Sequence, residues 1–233
     1  VRWRARCGSA GDGSTTLLRE VAIGLGSYAL YLAVRRAVWS DRGRARADRN
    51  ARSIVAVERR IRCDVEQRVQ SFALRAPRLV RVANAGYAAG NVGLSVGWLI
   101  LLYRRSDPAF SRERRAAVAA FLGALPLFVA LPTAPPRSQR GFVDTLADQG
   151  IDLDHPLLVR LYNPIAAMPS HHVAFAVVTG FGLAARSRHR SWRVAWLGYP
   201  WLVATVVVAT ANHFVLDVAA GALLGAAARR LTR

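Results

Sequence analysis

The chain reads as an all-helical, polytopic membrane protein with about six transmembrane helices, and three observations lead there. Of its 233 residues, 53% are hydrophobic and the mean hydropathy is +0.19, although the formal charge is +19. The 33 basic residues are all arginines, and they gather between long apolar runs rather than along one basic domain. That distribution argues for an integral membrane protein and against a nucleic-acid partner. Six of the runs approach the ~20 residues needed to cross ~30 Å of hydrocarbon.

Helix one is predicted over 17–34. It ends in Arg35 and Arg36 with no small-residue cleavage pattern, so it reads as an uncleaved anchor rather than a signal peptide. Cys7 and Cys63 flank it and lie on opposite sides of the bilayer if it spans, so no intrachain disulfide is expected. Residues 35–81 are rich in arginine, with Ile54, Val55, Val57, Ile61, Val65 and Val69 among the charges. This pattern predicts an amphipathic helix on the membrane surface, where arginines meet lipid phosphates. In the competing reading helix one is re-entrant and this segment is cytoplasmic. The division that follows is an anchor and surface segment over 1–78 and a membrane-embedded domain carrying the candidate chemistry over 79–233.

Helix two is predicted over 79–103, with Asn84, Tyr87 and Asn91 on or near one face; Gly86, Gly90, Gly93 and Gly97 have the small-xxx-small spacing that suits helix contact and a homodimer. Helix three covers 115–131 and stops at Pro132-Thr133-Ala134-Pro135-Pro136-Arg137, where the prolines end it. Helix four begins at Ser170, a good N-cap, and runs to 185. Helix five covers 192–211, and helix six follows a break near Asn212 and runs to 228. Arginine clusters at 104–115, 186–193 and 229–233 face the cytoplasm under the positive-inside rule. The acidic loop at 132–170, with Asp144, Asp148, Asp152 and Asp154, and the turn at His213 then face outside.

The candidate chemistry collects on that outer face. Histidines and a carboxylate at the margins of membrane-length apolar runs are costly, which marks them as functional. In His213-Phe214-Val215-Leu216-Asp217 the four-residue spacing places both side chains on one helical face. Asp217 can then accept from one ring nitrogen of His213 and leave the other free as a nucleophile. Pro169-Ser170-His171-His172 supplies a proton donor, His172. A satisfied ion pair is the alternative for His213 and Asp217 taken alone.

Together these strings resemble the type 2 phosphatidic acid phosphatase superfamily: Pro-Ser-x-His opens one helix, His-x-x-x-Asp opens a later one, and an arginine-bearing proline turn precedes both. The strings at 132–137, 141–146, 163–173 and 211–217 resemble its bacterial branch related to inositol phosphorylceramide synthases, with a likeness running from about Arg52 to Leu224. The resemblance implies a phosphatidic acid phosphatase type 2-like helical core and a lipid-linked phosphate substrate. It implies His213 as the nucleophile that becomes a phosphohistidine, Asp217 as its orienting carboxylate, and His172 as the acid that protonates the leaving oxygen and then activates the incoming hydroxyl. Arg137 and Ser170, with the first amides of helix four, are implied to hold the phosphate. No metal and no cofactor are implied.

Departures accompany the likeness. Ala130 stands where the phosphatases carry lysine, Ser138 where they carry proline, and Val206-Val207 where they carry Ser-Arg. Two of three expected cations are absent, as in the phosphotransferase-like branch, and His171 is the residue expected to replace them. The expectation is a phosphotransferase or phosphatase of the cell membrane, with an alcohol, a polyol or water as acceptor. Different in class are a metal site formed by His171, His172, His213 and Asp217, and a non-enzymatic scaffold that binds anionic lipid through its arginines.

Overall fold

The computed structural model describes residues 10–153 and 155–232. Cys7, with the reading of its relation to Cys63, and Asp154 lie outside the described residues. The described chain is built from α-helices with short π and 3₁₀ segments. The helices are α1 (Ala10–Val38), α2 (Asp41–Arg60), α3 (Glu66–Ala73), α4 (Pro77–Ala85), α5 (Asn91–Arg104), α6 (Phe110–Gly123), α7 (Leu125–Ala130), α8 (Pro156–Val159), α9 (His171–Arg186), α10 (Arg190–Ala209) and α11 (Val215–Leu231).

Helix α9 is the axis of the bundle, with α5, α6, α10 and α11 packed around it. It is apolar on nearly every side and buries Val173, Ala174, Ala176, Val177 and Val178, as a central helix must. Its close contact with α11 depends on two glycines. A side-chain carbon at Gly221 would overlap the carbonyl of Ser170, and one at Gly225 would lie 2.6 Å from the carbonyl oxygen of Ala174. Helix α1 packs on α6 and α7. The N-terminal end of α9, the N-terminal end of α11 and the proline turn after α7 meet at one end of this bundle.

Arginines occupy the other end, and acids meet them there. Buried Glu113 accepts from Arg112 and from Arg229, each at 2.9 Å, while Arg186 pairs with Asp107 and Arg114 with Glu20. Among the described residues two helices, Thr16–Val38 within α1 and Arg190–Ala209, are long and apolar enough to cross a membrane. Of the four remaining runs expected to span, α9 and α11 are shorter, at 16 and 17 residues. Helix two carries a π segment, Gly86–Gly90, and helix three divides at Ala124, where Pro126 opens α7.

The arginine-rich segment differs from expectation in two respects. It forms two helices, α2 and α3, separated by a break at which Arg62 takes a left-handed φ of 59°. The buried face of α2 is Ala47, Ala51, Ile54 and Glu58, while Val57 and Ile61 are exposed. Small residues win that face because α2 lies close against Ala134, Ile165 and Phe214 of the site end.

Because α9 and α11 touch through glycine, Gly225→Leu should destabilise the fold by about 1–3 kcal/mol through overpacking. Gly198→Leu, on α10 where the added carbon meets nothing within 4 Å, should have little effect. Thermal unfolding of both variants in the same detergent checks this; equal midpoints would contradict the packing described.

Candidate active site

His213 precedes α11 rather than riding on it. Phe214 is the N-cap, and Asp217, on the first turn, accepts from the Phe214 amide through Oδ2 at 2.8 Å. Capping therefore brings His213 back over Asp217, with Nδ1 3.6 Å from Oδ2. That distance is long for a hydrogen bond. Nδ1 instead donates to the carbonyl of Ala167 at 2.8 Å. A carbonyl can only accept, so the proton sits on Nδ1 and the lone pair on Nε2, the form a nucleophilic imidazole requires. The direct bond to Asp217 expected from helical spacing is thus made to a backbone carbonyl, and Asp217 acts by charge at 3.6 Å and by fixing the turn.

Ala167 is itself held by the proline turn. The amide of Ala167 donates to the Thr133 carbonyl at 3.0 Å, and the amide of Thr133 donates to the Ile165 carbonyl at 2.8 Å. The amide of Arg137 donates to the carbonyl of Ala211, whose φ of 53° turns the chain ahead of His213. The Arg137 guanidinium donates to Asn212 Oδ1 at 2.5 Å and lies 3.4 Å from Asp144 Oδ2. Asn212 adjoins His213 in sequence and lines the same cavity, so the arginine fork is fixed beside His213.

The His172 ring centroid is 5.9 Å from that of His213, and the His172 ring stacks on Tyr87 at 4.3 Å. Tyr87 lies in the π segment of helix two, and such bulges re-aim side chains at functional sites. Tyr87 also interacts with Arg137. The carbonyl of His172 accepts from Asn91 Nδ2 at 2.8 Å, and Asn91 Oδ1 accepts from the Tyr199 hydroxyl at 2.7 Å. Asn91 therefore supports His172 from behind, while Asn84 pairs with Thr145 in the loop after the proline turn.

Ser170 is fully buried and caps α9, its Oγ accepting from the Val173 amide at 3.3 Å. The amides of His171 and His172 have no acceptor within the helix, which leaves them free to donate to an anion at its first turn. The His171 side chain is placed differently from a phosphate ligand. Its ring lies among Phe121, Phe128, Phe175 and Tyr31, and Nε2 is 3.1 Å from the carbonyl of Phe121. That carbonyl fixes a proton on Nε2 of a neutral ring, and an aromatic box with no carboxylate is a poor setting for a substitute cation. Among the described residues no three His, Cys, Asp or Glu side chains converge as a metal site requires.

One cavity of about 480 Å³ contains His213, His172, Arg137 and Asn212 at one end and apolar walls elsewhere. A second, more polar recess of about 420 Å³ adjoins it through Pro135, Arg137 and Pro164, and is lined by Arg44, Asp48, Ser138 and Asp144 together with Trp39, Val159 and Ile165. Sequence reasoning placed Tyr87 on a helix face and Asn212 at a break without giving either a part in the site, and it passed over two acids, Glu58 and Glu66. The amide of Leu216 donates to Glu58 Oε1 at 2.8 Å and the amide of Val215 to Glu66 Oε1 at 2.9 Å, so α2 and α3 cap the helix that follows His213. The signal for Glu58 was its register, since it shares the face of Ala47, Ala51 and Ile54.

The family model of the PAP2 superfamily matches residues 52–231, and the protein belongs to that superfamily. Members act on lipid phosphates and are generally phosphatases. No curated protein and no solved structure matches the chain.

Burial, reinforced by the neighbouring Glu66, pushes the Glu58 carboxyl up from 4.5 to about 8. A carboxyl raised on folding holds its proton more tightly in the native state, so it contributes stability in full below about 4.5 and loses it as pH rises toward about 8. Glu58→Gln, which keeps the amide acceptor and cannot ionise, should flatten stability between those values. Unfolding midpoints measured across that range check this, and a pH slope equal to the parent's would contradict it.

Proposed function

We propose that the protein transfers the phosphoryl group of a lipid-linked phosphate through a phosphohistidine at His213, as in the branch related to inositol phosphorylceramide synthase. The observation that carries this reading is that one cavity joins His213, His172 and Arg137 to apolar walls. Nε2 of His213 attacks phosphorus, the bond from phosphorus to the lipid oxygen breaks, and His172 gives that oxygen its proton. His172 then takes the proton of the incoming hydroxyl as its oxygen bonds to phosphorus and the P–N bond breaks. Arg137 and the amides of His171 and His172 neutralise the equatorial oxygens. Asp217 stabilises the imidazolium that develops on His213.

The polar recess favours an alcohol over water as the final acceptor. Its carboxylates and hydroxyl, Asp48, Asp144 and Ser138, suit a polyhydroxy compound, and it shares Arg137 with the lipid cavity. The membrane setting rests on the two span-length helices and on exposed apolar side chains along α1, α5 and α10, among them Leu25, Ile100 and Trp201. With the arginine end in the cytoplasm, the site faces outward.

In purified protein given a lipid phosphate, His213→Ala should abolish turnover, and Asp217→Asn should lower it by about a hundredfold or more. His172→Ala should still form phosphoenzyme from a substrate with a good leaving group. Full activity in folded His213→Ala would favour a lipid-binding scaffold. With a polyol added, phosphorylated polyol should appear, and Asp48→Ala should shift product toward free phosphate; free phosphate alone from the parent would mark a hydrolase.

Orientation is read separately. In intact cells lacking Cys7 and Cys63, Gly150→Cys should react with an impermeant thiol reagent, and Ser187→Cys should not. The reverse pattern would place the site inside.

A further inference from the structure

The cavity that holds His213 continues away from it as an apolar groove, and one wall of that groove is α1. This helix precedes the matched segment, residues 52–231. Gly24, Ser27 and Tyr28 of α1 line the groove together with Val96 and Leu99 of α5 and Val118 of α6. A side-chain carbon added at Gly24 would meet nothing within 4 Å, so the groove is open at that level. The helix is also tied to the loop beside the histidines. Tyr28 donates its hydroxyl proton to the Leu161 carbonyl at 2.6 Å, and the Tyr31 hydroxyl accepts from the Asn163 amide at 2.7 Å.

We propose that α1 is the wall against which the hydrocarbon chain of the substrate lies, and that it sets which chain is accepted; this rests on the lipid-phosphate reading above. Polar groups gather at the histidine end, where the phosphate must sit, and the remaining surface offers a chain almost nothing but carbon. The stretch from Gly24 to Tyr31 runs about 10 Å along the helix axis, long enough to follow many methylenes of an extended chain. Continuity with the phosphate end selects the chain of the reacting lipid over an unrelated apolar ligand. Gly24 leaves the passage wide, and a large side chain there would narrow it.

The test uses full-length protein in detergent with two substrates, a long-chain monoalkyl phosphate and water-soluble p-nitrophenyl phosphate. Gly24→Trp should lower the ratio of kcat/KM for the long chain to that for the soluble ester by about tenfold or more. Gly26→Trp, on the same helix but outside the groove, should keep the parent ratio. An unchanged ratio in Gly24→Trp would overturn the proposal. Should that variant not fold, a long-chain alkyl phosphate bearing a mid-chain diazirine should label the parent on residues 24–31 after irradiation, and labelling only on other helices would overturn it equally. A parent that turns over neither phosphate would contradict the lipid-phosphate reading instead, which separates the two failures.

Discussion

The hydrogen bond from His213 Nδ1 to the carbonyl of Ala167 ties together the parts of the molecule that the proposed chemistry needs. It sets the imidazole tautomer, and it can form only if the 163–168 segment lies against the proline turn, as the pair of bonds between Thr133 and residues 165 and 167 ensures. The same turn delivers Arg137 to Asn212, one residue before the histidine. On the other side, Ser170 donates its amide proton to the carbonyl of Asp217, so the starts of α9 and α11 are locked to each other. Glu58 and Glu66, which accept from the amides of Leu216 and Val215, hold the start of α11 from outside the bundle. A shift of the Ala167 carbonyl would therefore release His213, the Arg137 fork and the helix that carries Asp217 together.

Much of this was legible in the chain because the signals were local. Ser170 was readable as an N-cap, and its side chain accepts from Val173 as a cap should. Most ends of the long apolar runs were found within a few residues, since helix propensity and hydropathy act along the segment itself, but α1 and α6 begin at Ala10 and Phe110, ahead of the predicted 17 and 115, because polar residues continue the helix before hydropathy rises. The relation of His213 to Asp217 was readable as a spacing but not as a geometry. Four residues can span one helical turn or an N-cap, and the second holds here, which gave the direct bond to a carbonyl that no sequence pattern marks.

What stayed hidden depends on partners far away in the chain. Glu58 and Glu66 serve amides about 150 residues later, a pairing with no local signature. Tyr87 reaches His172 through a π segment, a backbone irregularity that ordinary helical periodicity does not reveal. His171 looked like a spare cation because it adjoins a helix N-terminus. Its ring instead turns to the aromatic residues of α6 and α9, and the proposed phosphate clamp is left to Arg137 and the helix amides. Loss of two cations also fits a cavity whose remaining walls are apolar, where an unpaired charge would be costly to bury.

The central claim is that phosphorus bonds to His213 during turnover, and trapping that bond tests it most directly. Protein mixed with a lipid phosphate is quenched in alkali, which preserves a phosphohistidine, and digested for peptide mass spectrometry. The account predicts one phosphorylated site, on His213, that disappears on acid treatment and accumulates when His172→Ala is given a substrate with a good leaving group. Turnover with no such adduct at early times, or with the phosphoryl group on another residue, would contradict it.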